Sequence, residues 1–422
     1  MKGLRLIPVI VAIAICLSAR AQDSTATAPV RYPRVYDYHT DRGPTKDLRA
    51  LDNTSCAPIY GIDSTVTAYM RLHGIVGASL AVMRNDSLLY VRGYGWADKE
   101  AGQKMEPWNR MRIASVSKLV TAIGIMKMQE MGLLSLADRP LAEGGVLHYL
   151  VPAHHDARLD SITVEHLLRH QAGFTTERGD GDPMFHVGMT DGDQACRTDL
   201  GRPLLYSPGT DQEYSNVGYY LLGVMIRRIS GQSYEAWMKE NVLRPMQCYN
   251  FDIAGNYSAD RKEREVHYYM HPGAKTDEDF HGDGTPCEAC YGGNNVTGVE
   301  GAGAWMATAP ELCRMVAGID IDSGIYDLLS RRNVEEMTRY ISKETFSLGW
   351  IDTNEEGIWT RTGSFGGTTA MVKHFSEDGD CWVLLTNTST RYGSRVAKYS
   401  SALIEDLRGK YLGNLGKKNL FY

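Results

Sequence analysis

Long apolar runs are scarce in this sequence. The one near the start, Leu6 to Leu17, is too short for a stable membrane span, and no later stretch approaches the roughly 20 residues a bilayer requires. No membrane span is therefore expected. Basic clusters interleaved with aromatic residues are missing as well, and a formal net charge of −6 offers no footprint for a polyanion, so nucleic acid is not an expected partner. Metal-ligand spacings are also lacking. Cys287-Glu-Ala-Cys290 is followed by no second C-x-x-C or H-x-x-x-H, while His154-His155 and the aspartates from Asp180 to Asp193 match no ligand pattern and read as solvated loop. Neither a metal nor a cofactor is expected. What is plentiful is core-forming material: 43% hydrophobic and 23% charged residues over 422 positions describe a globular chain long enough for two lobes, and exclude disordered or fibrous classes.

The N-terminus has the layout of an export signal. Lys2 and Arg5 supply the positive region, Leu6 to Leu17 the apolar core, and Ala19-Arg20-Ala21 an A-x-A cleavage site, so residues 1–21 are expected to be removed. The mature chain would begin near Gln22, in the periplasm or secreted. Cys16 follows the bulky Ile15, where a lipid-attachment signal wants a small residue, so soluble export is expected. Seven cysteines then remain, an odd number that leaves at least one unpaired, and Cys287 with Cys290 reads as a local disulfide or two inert thiols. Residues 22–55, rich in Thr, Asp, Arg, Pro and Tyr, show no clear periodicity and read as an extended arm before a domain over 56–422.

Within that domain the hydrophobic period changes several times. Ile62 to Leu72 has helical spacing, whereas Ala78–Met83 and Ser87–Arg92 flank the polar Arg84-Asn-Asp86 as a β-hairpin whose second strand continues to Asp98. Helices are expected from Ser115, over Thr163–His170 with a stop at Gly173, over Asn216–Ile229, from the Gly301–Glu311 run through Cys313 and Met315, and over Ala397–Leu407. Strands are expected at Phe346–Ile351, Ile358–Thr362, Thr369–Phe375 and Cys381–Thr386. The order implies an α+β fold: an antiparallel sheet built from both ends of the chain and flanked by helices, with a mainly helical lobe inserted over roughly 130–300.

The stretch with the most chemistry is Ser115-Val-Ser-Lys118. A serine and a lysine three apart at the start of an apolar helix share one face, so their side chains can meet. Burial lowers the pKa of a lysine and lets it relay the hydroxyl proton, which would make Ser115 a nucleophile. The free N–H groups of a helix start favour the negative charge that develops in acyl transfer. Tyr214-Ser-Asn216 places a phenol and an amide at a second helix start, a placement that suits chemistry better than the alternative of a core aromatic whose hydroxyl finds a partner.

With Arg361-Thr-Gly363 at a strand start, these motifs stand in the order that characterises a known superfamily. The chain resembles the serine β-lactamases and penicillin-binding proteins, in particular the class C β-lactamase, D-alanyl-D-alanine carboxypeptidase and esterase branch. Gly93-Tyr-Gly95, Ile162–His170, Ser207-Pro-Gly-Thr210, Gly301-Ala-Gly303 and Leu385-Thr-Asn387 frame the motifs as in that group, and the similarity runs from about Ile62 to Leu407. The resemblance implies a β-lactamase/transpeptidase-like fold. It also implies an acyl-enzyme at Ser115, proton transfer shared by Lys118 and Tyr214, and orientation of Lys118 and substrate by Asn216. Thr362, Gly363 and Ser364 would bind substrate, with the amides of Ser115 and Ser364 as oxyanion donors.

One position departs from the pattern. The branch usually carries Lys or His ahead of Thr-Gly, and here Arg361 offers a bulkier planar fork suited to a carboxylate. The expectation is a small-molecule or peptide acyl substrate carrying a carboxylate, with efficient β-lactam hydrolysis in doubt; the alternative turns Arg361 outward into a surface ion pair. Three activities fit the motifs. They are hydrolysis of D-amino-acid peptides, small esters or amides, transfer of the same acyl group to an alcohol or amine, and a sensor that stays acylated. The segments around Asp180–Asp193 and Asn250–Asn295 could shape an acceptor pocket.

Overall fold

In the computed structural model, residues 47–174, 182–321 and 327–422 are described. The expected signal segment and most of the expected arm lie outside them. Helix α1 (Tyr60–His73) leads into β1 (Gly77–Arg84) and β2 (Ser87–Asp98), joined through Asn85 and Asp86 at φ of 45° and 56°. Two left-handed residues make the two-residue turn that suits the twist of a hairpin, and Asn and Asp tolerate that region better than other non-glycine residues. Short strands β3 (Gln103–Lys104) and β4 (Met111–Arg112) precede α2 (Ser117–Glu130). The central stretch then holds α3 (Val164–Leu168), α4 (Gly192–Leu200), α5 (Asn216–Ser230), α6 (Tyr234–Met238), and the strand pieces β5 (Asp252–Ile253), β6 (Asp277–Glu278) and β7 (Pro286–Cys287). After β8 (Trp305–Ala307), α7 (Ala309–Ala317) and α8 (Arg331–Thr338), the chain returns to strands β9 (Asp352–Thr353), β10 (Ile358–Phe365), β11 (Thr368–Phe375) and β12 (Asp380–Thr386), and then α9 (Val396–Tyr411).

The main sheet has the order β3-β2-β1-β12-β11-β10-β9, every pairing antiparallel, with Ala81 opposite Val383 where the two ends of the chain meet. Its central strands are buried on both faces, which is why they read as continuous apolar runs. Side chains alternate: Leu80, Val82, Trp382 and Leu384 join Ile62, Val66, Ile404 and Leu407 of α1 and α9 in one core, whereas Ala81, Met83, Val383 and Leu385 belong to the larger core on the other face. Each of the Val, Leu, Ile and Met side chains among them contributes about 1.5–3 kcal/mol relative to exposure. At the centre of the larger core runs α2, buried all round from Ser117 to Met128, as a helix without a polar face must be.

Several local expectations change. Phe346–Ile351 is not a strand. Gly349 at φ 86° breaks the extended path, and its α-carbon packs so closely on α2 that an added Cβ would lie 2.6 Å from the Ala122 Cβ; only Asp352 and Thr353 pair with β10. The chain after Leu168 turns at His170, φ 59°, before Gly173 is reached. Residues 192–200, in a stretch read as polar loop, form α4 behind an Asp191 cap, and α8 carries too few apolar residues to show a period. Trp305–Ala307 pairs between β4 and β5 before the helix starts at a Thr308 cap. All seven cysteines of the described residues are free, Cys287 and Cys290 included. Among the described residues no helix is long and apolar enough to cross a membrane.

Candidate active site

The turn before α2 sets the site. Ala114 has φ 45°, unusual for a residue with a Cβ, and residues Ala114–Val116 form one 3-10 turn that runs into α2. This places Ser115 against the helix start with Lys118 on the same face. Lys118 is fully buried, and its Nζ lies 3.2 Å from Ser115 Oγ, 2.7 Å from Asn216 Oδ1 and 2.5 Å from the Ala302 carbonyl. Tyr214 Oη is 2.8 Å from the same Ser115 Oγ. Arg361 stands behind both, Nε donating to the Ser115 carbonyl at 2.8 Å and Nη2 to Tyr214 Oη at 3.2 Å. Ser115, Lys118, Tyr214, Asn216 and Arg361 are thus one hydrogen-bonded unit.

Charge sets the protonation states. Burial works against an ionised Tyr214, but the ammonium of Lys118 and the guanidinium of Arg361 outweigh it and hold the phenol below its ordinary value. Lys118 is itself pushed down, first by burial and then by Arg361, against the opposing pull of Tyr214 and Asp182. His170 stacks on the Tyr214 ring at 4.4 Å, and burial followed by the two cations drives its pKa well below the usual histidine range. With Nδ1 accepting the Ser215 N–H at 3.0 Å, it is a neutral platform for the phenol and not a second base.

Arg361 does not do what its fork suggested. It sits in the middle of β10, completely buried, directed neither to a surface ion pair nor into the open cavity. Its guanidinium instead faces the Ser115 carbonyl and the Tyr214 phenol. Thr362, Gly363 and Ser364, by contrast, line a cavity of about 810 Å³ together with Ser115, Tyr214 and Asn216. Gly363 permits the approach: an added Cβ would fall 2.2 Å from the Ile113 carbonyl and 2.9 Å from the Ser115 amide nitrogen. Phe185 and Phe365 add an apolar edge-to-face pair, and Arg391 is the exposed cation among the lining residues.

Asp182 lies in the Asp180–Asp193 stretch that read as solvated loop, and its partner was not anticipated. It accepts from Asn216 Nδ2 at 2.7 Å, and no spacing rule links a loop aspartate to an amide on a helix 34 residues later. Among the described residues one group could gather round a metal, Asp98, Glu100 and His267. It includes none of the site's residues, and Asp98 already pairs with Arg261 at 3.1 Å.

The sheet, the flanking helices and a serine–lysine pair facing a tyrosine from the inserted region define the β-lactamase/transpeptidase fold. A family model described as Beta-lactamase matches residues 62–404, and the chain belongs to that family. Protein flp of Staphylococcus aureus (strain MW2) is 28% identical over 186 residues, 44% of this chain and 36% of its own length. Esterase EstB of Burkholderia gladioli is 30% identical over 207 residues, 47% of this chain and 51% of its own. The matched stretch spans about a third to a half of the length of these curated relatives. Among solved structures, the D-amino acid amidase from Ochrobactrum anthropi SV3 complexed with L-phenylalanine has the same fold, with a TM-score of 0.65 at 19% identity over 84% of this chain and 99% of that one.

Proposed function

We propose that the protein is an exported serine hydrolase that works through an acyl-serine intermediate on D-amino-acid peptides, small esters or amides. One observation carries the reading: Ser115 Oγ lies within hydrogen-bond distance of both Tyr214 and Lys118, with Arg361 behind the phenol. In this reading Ser115 Oγ bonds to the acyl carbon as its proton passes to the Tyr214 phenolate, which the two cations stabilise. The carbonyl oxygen takes up negative charge against the amides of Ser115 and Ser364, each such donor being worth about 100-fold or more. The C–N or C–O bond then breaks as Tyr214 returns the proton to the leaving group, and water repeats the sequence on the acyl-enzyme. Asn216 fixes Lys118. A carboxylate on the leaving group would find its cation in Arg391 on the cavity wall, not in Arg361. The hydrolase domain is residues 56–422, and residues 1–21 direct export.

The test is intact-mass spectrometry of the mature protein, with Ser115→Ala as control, after incubation with p-nitrophenyl esters and a β-lactam. A transient adduct with turnover is expected in the wild type alone. A wild type that forms no adduct with any probe would sink the nucleophile assignment. Product accumulating on an added alcohol or amine, in place of free acid, would shift the reading to acyl transfer.

A further inference from the structure

We propose that the ion pair of Glu300 with Arg227 is a positioning device for Lys118, holding a strained turn whose carbonyls fix the buried ammonium; the inference rests on the reading that Ser115 becomes acylated. Glu300 lies inside the short stretch Thr297–Ala302 at φ 37° and ψ −113°, far from helical values. Those angles are close to the first central position of a type II′ turn, where glycine is the usual residue and a side chain with a Cβ is strained. A glutamate there must be held by something. Its own carboxylate supplies the hold: Oε2 lies 3.2 Å from Arg227 Nε on α5, both side chains being largely buried.

The turn is wedged between two helices. On α5, Asn216, Gly223 and Arg227 follow one another at about two and three helical turns and so share a face. Gly223 lets the turn lie against that face, since an added Cβ would stand 3.5 Å from both Glu300 Oε2 and the Gly301 nitrogen. On α2, Thr121 Oγ1 donates to the Gly301 carbonyl at 2.6 Å and Lys118 Nζ to the Ala302 carbonyl at 2.5 Å. The strained residue therefore aims the two carbonyls that follow it, and α2 takes up both. A charged lysine has three N–H donors, and Ser115 Oγ, Asn216 Oδ1 and the Ala302 carbonyl are its acceptors. The carbonyl dipole favours the charged amine, and the charged amine favours the Tyr214 phenolate against the opposing effect of burial. Without the pair, Arg227 is left to Asp193, 3.7 Å away, the turn relaxes out of the left-handed region, and the carbonyl withdraws from Nζ. Glu300 thus acts on the proton through Lys118 and touches no reacting atom.

The experiment measures the pH profile of kcat/KM for p-nitrophenyl acetate in the wild type, Glu300→Gln, Arg227→Gln, the double variant and Glu300→Gly, with active sites counted by the acetyl adduct in intact-mass spectra. Glu300→Gln and Arg227→Gln should each move the acidic limb up by about one pH unit and lower the rate on that limb about 10-fold, the size that loss of a hydrogen bond to a charged group supports. The double variant should be no worse than either single one, because the two side chains act as a pair. Glu300→Gly should restore most of the lost rate, since glycine takes a positive φ without strain. Tyr214, Arg361 and Asp182, the other groups facing the ammonium, are left in place by all of these changes. A limb that stays put in both single variants while their unfolding midpoints fall would show a merely structural pair and overturn the proposal. So would a double variant that loses the product of the two single effects, or a Glu300→Gly chain as impaired as Glu300→Gln. Should Glu300→Gln not fold, Arg227→Gln and Glu300→Gly decide by the same limb. A wild type that forms no adduct at Ser115 would instead refute the hydrolase reading on which the proposal stands.

Discussion

At the scale of single residues, the site is a problem of placing one proton. Tyr214 is held below its ordinary pKa by two cations despite its burial, which favours the phenolate form. Tyr214→Phe should lower kcat/KM for a p-nitrophenyl ester by about 100- to 10,000-fold, the range for loss of a general base, with the adduct at Ser115 slowed to match. Arg361→Ala removes a cation that favours the charged phenolate, so the phenol pKa rises. The acidic limb of the kcat/KM profile should accordingly move to higher pH, and a profile that keeps its limb while dropping uniformly would argue that Arg361 only holds the Ser115 carbonyl. The serine–lysine pair was legible in the sequence because a spacing of three on a helix dictates proximity. The inward turn of Arg361 was not, since a strand residue's partners come from whatever packs across its face.

At the scale of elements, β10 and the turn before α2 must touch for the cavity to exist. Gly363 is where they do, and a methyl group there would strike backbone atoms on both sides of Ser115. Gly363→Ala should therefore cost about 1–3 kcal/mol in denaturant unfolding, as overpacking does, and depress acylation through displacement of the Ser115 amide. An alanine variant with wild-type stability and rate would show that the strand can shift without consequence. The central strands and α2 were legible as apolar runs bounded by turn residues, and α5 because its period of 3.6 survives over four turns. Phe346–Ile351 misled because its apolar content serves packing against α2, with Gly349 in a left-handed conformation that alternation cannot reveal. In α4 the nine-residue helix buries Ala195, Cys196 and Leu200 amid acidic residues that mimic a loop.

At the scale of the molecule, strands from early and late in the chain meet at the centre of the sheet, β1 against β12, and the last residues are tied to it. Leu420 N–H donates to the Leu88 carbonyl at 2.8 Å, and Phe421 is fully buried with the Arg314 guanidinium 4.8 Å from its ring centre. Phe421→Ala should lose about 3–5 kcal/mol, the cost of emptying a buried aromatic site, measurable by chemical denaturation. A loss below about 1 kcal/mol would mean that the C-terminal tail docks without supporting the core. The sequence by itself determined the buried strands, the α+β order and the pairing of Ser115 with Lys118, because each follows from spacing along a few turns or a few pleats. Only the tertiary structure decided that Asp182 holds Asn216, that Arg361 backs Tyr214, and that Phe185 and Arg391 wall the cavity. Those contacts join loops and strands far apart in the chain, where polar partners are selected by burial and geometry and leave no local period.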